Sequence, residues 1–150
     1  MEQAIALAME NVWAGAGGPF AALVVRGESV VASGTNRVTA LLDPTAHAEI
    51  VAIRAACRAV GNFELRECEL YTTCEPCPMC MGAIYWARLA KVYYANTRED
   101  AARAGFDDSF IYGQLALAPG DRKIPMVHTI RDEALEVFRE WEKSPIKKLY

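Results

Sequence analysis

A chain of 150 residues, 53% hydrophobic and 23% charged, has the size and balance of one globular domain with a real core. No apolar run approaches the ~20 residues of a membrane-spanning helix, and a net charge of −3 lacks the basic excess that a phosphate backbone calls for in a partner. Five cysteines at irregular spacing, behind a Met1-Glu2-Gln3 start with no positive n-region, lead us to expect reduced thiols, no secretory signal and a cytoplasmic setting.

Ile5, Met9, Val12 and Trp13 recur at helical spacing, which predicts an amphipathic helix over residues 2–14 covering a sheet through that stripe. Gly15-Ala16-Gly17-Gly18-Pro19 stops it. No Gly-Lys-Ser/Thr or G-x-G-x-x-G follows, so the turn reads as a tight connector for close backbone approach rather than a phosphate loop. Residues 20–26 and 29–35 are β-rich around Gly27-Glu28, a hairpin pattern. Residues 36–42 read as a loop. Asp43-Pro44-Thr45 has the chemistry of a helix start, and residues 45–60 carry Ile50, Ile53 and Cys57 on one stripe until Gly61-Asn62.

Strands at 69–73 and 91–95 flank a helix at 78–89, a crossover that makes the two strands parallel. A short helix is expected at 98–104, a short strand at 127–130 and a final amphipathic helix at 132–141. The tail, 143–150, has no apolar period. Together these predict an α/β fold: a three-layer α/β/α sandwich around a mixed sheet of about five strands, one domain over residues 1–150.

The densest chemistry lies in Thr73-Cys74-Glu75-Pro76-Cys77-Pro78-Met79-Cys80, which holds three of the five cysteines. Cysteines three apart at a helix start share a face, so Cys77 and Cys80 suit one metal ion. His47-Ala48-Glu49 opens the other helix. One imidazole and two thiolates give zinc three protein ligands and leave a fourth position open, the arrangement of a catalytic site. Helix N-termini favour thiolate over thiol at both cysteines. Two thiolates also neutralise the ion's charge and weaken its pull on water, so a base is needed nearby. Glu49, two residues after His47, is placed to move protons without binding metal.

The pattern H-x-E…P-C-x-x-C marks the zinc deaminases of nucleobases. A closed site with Cys74 as fourth ligand would leave Glu49 without a role, so Cys74 reads as a neighbour in the turn. Cys57 and Cys68 read as buried core thiols and His128 as structural. The expected cofactor is one zinc ion per subunit.

Beyond that motif, the chain resembles the bacterial guanine deaminases of the cytidine-deaminase fold. The likeness runs through Gly17-Gly18-Pro19-Phe20, Asp43-Pro44-Thr45-Ala46-His47-Ala48-Glu49, Cys74 to Arg88, Ala104-Gly105-Phe106-Asp107-Asp108-Ser109-Phe110-Ile111-Tyr112 and the terminal Tyr150. It implies hydrolysis of guanine to xanthine and ammonia by attack at C2. By position it implies that Asn36 hydrogen-bonds the purine, that Phe20, Trp86 and Ala48 line its pocket, and that Asp108 helps the amine depart. It also implies a homodimer whose C-terminal segments, with Tyr150, are exchanged between subunits. Read from the residues alone, Trp86 suits core or pocket equally, Phe20 at a strand start also suits simple core, Asp107-Asp108 beside Ser109 also suits a helix cap, and a terminal Tyr is more often disordered than functional.

A tRNA adenosine deaminase shares the motif, but Glu136, Glu140 and Glu142 interleave with the only basic cluster, Arg139, Lys143, Lys147 and Lys148. Deaminases of guanosine, cytosine or ammeline differ in the pocket rather than the motif. An inactive zinc module for protein binding would have no use for Glu49. A small purine substrate is therefore expected, with neither nucleic acid nor membrane as partner.

Overall fold

In the computed structural model, which describes residues 1–150, the elements run α1 (Glu2–Trp13), β1 (Ala21–Arg26), β2 (Ser29–Thr35), α2 (Val38–Leu41), α3 (Ala48–Val60), β3 (Glu69–Cys74), α4 (Pro78–Trp86), β4 (Lys91–Asn96), α5 (Arg98–Arg103), α6 (Ser109–Ala116) and α7 (Arg131–Lys143). A single 3-10 turn spans Pro119–Asp121. The strands form one mixed sheet in the order β2-β1-β3-β4. β1 is antiparallel to both neighbours, with Ala22 opposite Thr72, while β3 and β4 run parallel through the α4 crossover. Gly27, at φ +59°, makes the hairpin turn a side chain would strain.

Alternation along β1 decides the layers. Ala22 and Val24 pack with Ala48, Ala52, Ile53 and Ala56 of α3, Leu70 of β3 and Ile84 of α4. Ala21 and Leu23 point to the opposite face, where α1 lies against β1 and β3. Fully buried Val24, Leu65 and Leu70 each contribute roughly 1.5–3 kcal/mol by burial. Gly34 brings α3 onto β2: a Cβ there would stand 2.5 Å from the Ala48 carbonyl oxygen and from the Ala52 nitrogen.

Several expectations need correction. The sheet has four strands, and residues 127–130 are exposed and form none. The α1 stripe is reversed: Ala4, Ala8 and Asn11 face inward, while Ile5, Met9, Val12 and Trp13 are exposed. Small side chains let that helix sit close to the sheet, and closeness outweighs bulk there. α3 starts at Ala48 with His47 as its N-cap, because Asp43 Oδ1 instead takes the Thr45 N–H (2.8 Å) and hydroxyl (2.7 Å) in a separate turn. α2 occupies part of the expected loop, and α6 was not anticipated. α4 ends at Trp86, short of 89, with Arg88 in the left-handed region at φ +55°.

The chain divides into two compact units, Met1–Asp108 and Ser109–Tyr150. The first contains every buried side chain. The second, α6 through the tail, buries none and carries exposed ion pairs Arg139–Glu136 and Lys143–Glu140 on α7. No helix is long and apolar enough to cross a membrane.

Candidate active site

Two helix starts meet at the end of the sheet. His47 caps α3 and Cys77 caps α4, both with extended backbone, and Pro78 occupies the first turn of α4, where its missing N–H costs nothing. Thr73 fixes the approach to that turn: its hydroxyl accepts from the Ala21 N–H at 3.1 Å, and its carbonyl accepts from Asn96 Nδ2 at 2.9 Å. The Asn96 carbonyl in turn accepts from the Glu75 N–H at 2.9 Å, so the cysteine turn is tied to two strands.

His47 Nδ1 lies 3.6 Å from Cys77 Sγ and 3.6 Å from Cys80 Sγ, and all three donor atoms fall within 4.8 Å of one another. A tetrahedral centre with zinc–nitrogen and zinc–sulfur distances of about 2.0 and 2.3 Å sets such donors about 3.6 Å apart. The donor set and its spacing therefore fit zinc, with only three protein ligands.

Among the protein groups alone, the hydrogen bond from Cys80, with His47 beside it, holds the Cys77 thiol down at about 4. The same hydrogen bond and burial push Cys80 strongly upward, and Cys77 raises His47.

Glu49 sits on the first turn of α3 and is only 6% exposed. Burial dominates its carboxyl and pushes it up; Cys77 adds to the rise, while its own N–H, His47 and Cys80 oppose it. A carboxyl raised by burial beside a metal group is suited to accept a proton and give it back. Cys74 is separate: its Sγ lies 3.6 Å from the Thr97 carbonyl, and burial with the nearby Glu49 charge raises it to about 11. It is kept as a thiol outside the three-ligand group.

Asn36, buried like Glu49, follows β2 and is held by the backbone around it. Its Oδ1 accepts from the Gly18 N–H at 3.2 Å and the Val38 N–H at 3.3 Å. Its main chain is bound to Phe20 at 2.9 Å, and next to it Arg37 donates to the Ala46 carbonyl at 2.9 Å, beside the His47 segment. The Phe20 ring meets Phe106 edge-on at 4.9 Å between centroids, which brings the segment before Asp108 to the same place. Burial, then Cys77, pushes the Asp108 carboxyl up.

Ala48 is fully buried at the start of α3. Trp86, 64% exposed, is not a core residue. Tyr150 ends the second unit, exposed. Cys68 is buried and Cys57 half-buried, while His128 is exposed.

One residue escaped the sequence reading: Asn11, only 6% exposed, donates through Nδ2 to the carbonyls of Gly18 (2.9 Å) and Asn36 (3.1 Å). Its only sequence signal is its place one turn beyond Ala4 and Ala8 on the small face of α1.

Residues 1–96 match the family of the cytidine and deoxycytidylate deaminase zinc-binding region. The whole chain is 50% identical to guanine deaminase of Bacillus subtilis, over 96% of that protein. The crystal structure of that enzyme superposes with a TM-score of 0.97, covering 99% of this chain and 95% of the other. Guanine deaminase from Nitrosomonas europaea is 36% identical, with a TM-score of 0.68 over 71% of this chain and 62% of its own. The tRNA-specific adenosine deaminase of Agrobacterium fabrum matches at 47% identity over 51% of this chain and 50% of its own. The chain belongs to the zinc-dependent cytidine and deoxycytidylate deaminase family.

Proposed function

We propose that this protein hydrolyses guanine to xanthine and ammonia. The observation that carries this reading is the 50% identity to a guanine deaminase along the entire chain, against 38% identity over 84% of the chain for the tRNA-specific adenosine deaminase of Buchnera aphidicola. When bound, zinc supplies a Lewis acid that makes water acidic enough to attack at neutral pH.

The chain's own residues do the rest. Glu49 takes the water proton and delivers it to a ring nitrogen as the C2–oxygen bond forms. A second proton carried by Glu49 leaves with the amine as the C2–nitrogen bond breaks, so guanine and water become xanthine and ammonia. Asn36 holds the ring, Phe20, Trp86 and Ala48 line the pocket, and Asp108 receives the exocyclic amine. His47, Cys77 and Cys80 hold the ion.

The same reading takes residues 1–150 as one cytoplasmic deaminase domain that works as a homodimer. Residues 143–150 pass to the neighbouring subunit, where Tyr150 completes the pocket; exposed Ile146, Leu149 and Tyr150 in a tail without a core of its own are consistent with that exchange. Ammonia release measured across guanine, guanosine, cytosine, adenine and ammeline tests the substrate. Guanine is expected to be consumed fastest by the zinc-loaded protein. Turnover of another substrate with none of guanine would overturn the reading. Truncation before Tyr150 is expected to reduce turnover far more than thermal stability, and normal turnover would remove that residue from the site.

A further inference from the structure

Asn11 stands on a helix that contributes no metal ligand, yet it is one of the few buried polar residues of the chain. Its amide reaches two carbonyls from different segments, Gly18 at 2.9 Å and Asn36 at 3.1 Å. Those segments already touch: a Cβ on Gly17 would stand 2.0 Å from the Asn36 carbonyl oxygen, so only glycine lets them lie this close. From the far side, Asn36 Oδ1 takes the Gly18 and Val38 N–H groups. With the oxygen committed to two donors, the orientation of the Asn36 carboxamide is fixed and its Nδ2 is left as a donor. No fully buried side-chain polar atom of the protein lacks a partner. Asn36 Nδ2 has none within the chain and therefore reaches accessible space.

We infer that Asn11 is a positioning residue for substrate recognition, clamping the Gly17-Gly18 turn to the Asn36 main chain so that Asn36 presents its N–H to a ring acceptor of the substrate. This rests on the reading of Asn36 as a purine contact. Asn11 donates to the Gly18 and Asn36 carbonyls and forms no hydrogen bond with a metal ligand or Glu49. Removing it leaves two crowded carbonyls short of a donor and frees the turn to shift, which loosens the aim of Asn36. The consequence falls on binding rather than on proton transfer.

The test is steady-state deamination of guanine by the zinc-loaded protein, with zinc content and thermal midpoint recorded for each variant. Asn11→Ala is expected to raise KM about tenfold and change kcat by less than about threefold, with zinc retained. Asn36→Ala is expected to raise KM at least as much, and adding Asn11→Ala to it to raise KM by less than about twofold further. Asn11→Ser, which keeps one donor, is expected to fall between wild type and Asn11→Ala. It also serves if the alanine variant does not fold, an unchanged KM then overturning the inference. A lowered thermal midpoint with unchanged KM, or full additivity with Asn36→Ala, makes Asn11 merely structural and overturns the inference while Asn36 keeps its role. An Asn36→Ala protein with normal KM removes the purine contact itself, and the positioning role with it.

Discussion

The two sides of the candidate site are built in opposite ways. On the metal side, His47 and Cys77 are the N-caps of α3 and α4, and Glu49 and Cys80 lie in the first turns of those helices, so regular elements set their places. On the proposed recognition side, Asn36 and the Gly17-Gly18 turn belong to no regular element; Asn11 Nδ2 donates to the Gly18 and Asn36 carbonyls, and the Gly18 and Val38 N–H groups donate to Asn36 Oδ1. The difference separates two kinds of failure. Damage to the metal side should abolish the reaction, whereas damage to the recognition side should leave chemistry intact and weaken the hold on substrate.

Cys80→Ala is the severest way to break that contrast. Cys80 is fully buried and one of only three ligands, so the variant is expected to lose zinc on dialysis and to show no measurable turnover. Cys74→Ala, four hundredths of the chain away in sequence but outside the donor group, should keep its zinc. Metal analysis of the two proteins side by side checks both, and zinc loss from Cys74→Ala would mean a fourth ligand. Next in size is Gly34→Ala, which touches the frame beneath the metal side. The added Cβ collides with α3 backbone at 2.5 Å, and overpacking of this kind costs about 1–3 kcal/mol. Denaturant unfolding should show that loss, and zinc affinity should fall with it because α3 carries His47.

The smallest effect concerns α5. Thr97 and Asp100 form a capping box: the Asp100 N–H donates to the Thr97 hydroxyl at 3.3 Å, and Asp100 Oδ2 accepts from the Thr97 N–H at 2.8 Å. Thr97→Ala should cost about 1 kcal/mol. The hydrogen bonds from Thr97 hold the Asp100 carboxyl below its ordinary range. A carboxylate with a depressed folded-state pKa stabilises fully above its unfolded value, and that contribution disappears as pH falls through the folded one. Asp100→Asn should therefore lower the thermal midpoint at pH 7, and the gap to wild type should close toward pH 3. A gap that stays constant with pH would remove the carboxylate's part in it.

The same contrast explains what could be read from the residues. Cys77 and Cys80 were legible because a three-residue helical spacing puts them on one face, and His47 and Glu49 because H-x-E…P-C-x-x-C is the pattern of zinc deaminases. β1, β2, the α4 crossover and its parallel strand pair were legible from periodicity and turn residues. The face of α1 was not, because the heavier stripe of Ile5, Met9, Val12 and Trp13 outweighed Ala4, Ala8 and Asn11 on any hydrophobic count. Close helix–sheet packing follows side-chain size, and that is visible only once the partner is known. Asn11 was invisible for a related reason. Its partners are backbone carbonyls 7 and 25 residues away, and a carbonyl has no sequence signature. The start of α3 was misplaced because Asp43 is equally good as a helix cap and as the head of a turn.

The most direct measurement compares wild type with Glu49→Gln, recording zinc per chain and xanthine formed from guanine. Glu49 is buried beside the metal group without belonging to it. Both proteins are expected to bind one zinc ion, with turnover in Glu49→Gln lower by about 10²-fold or more, the scale of lost acid–base catalysis. Loss of zinc from Glu49→Gln would make Glu49 a ligand, and undiminished turnover would take the proton transfers away from it; either result contradicts a site in which three residues hold the metal and a fourth moves the protons.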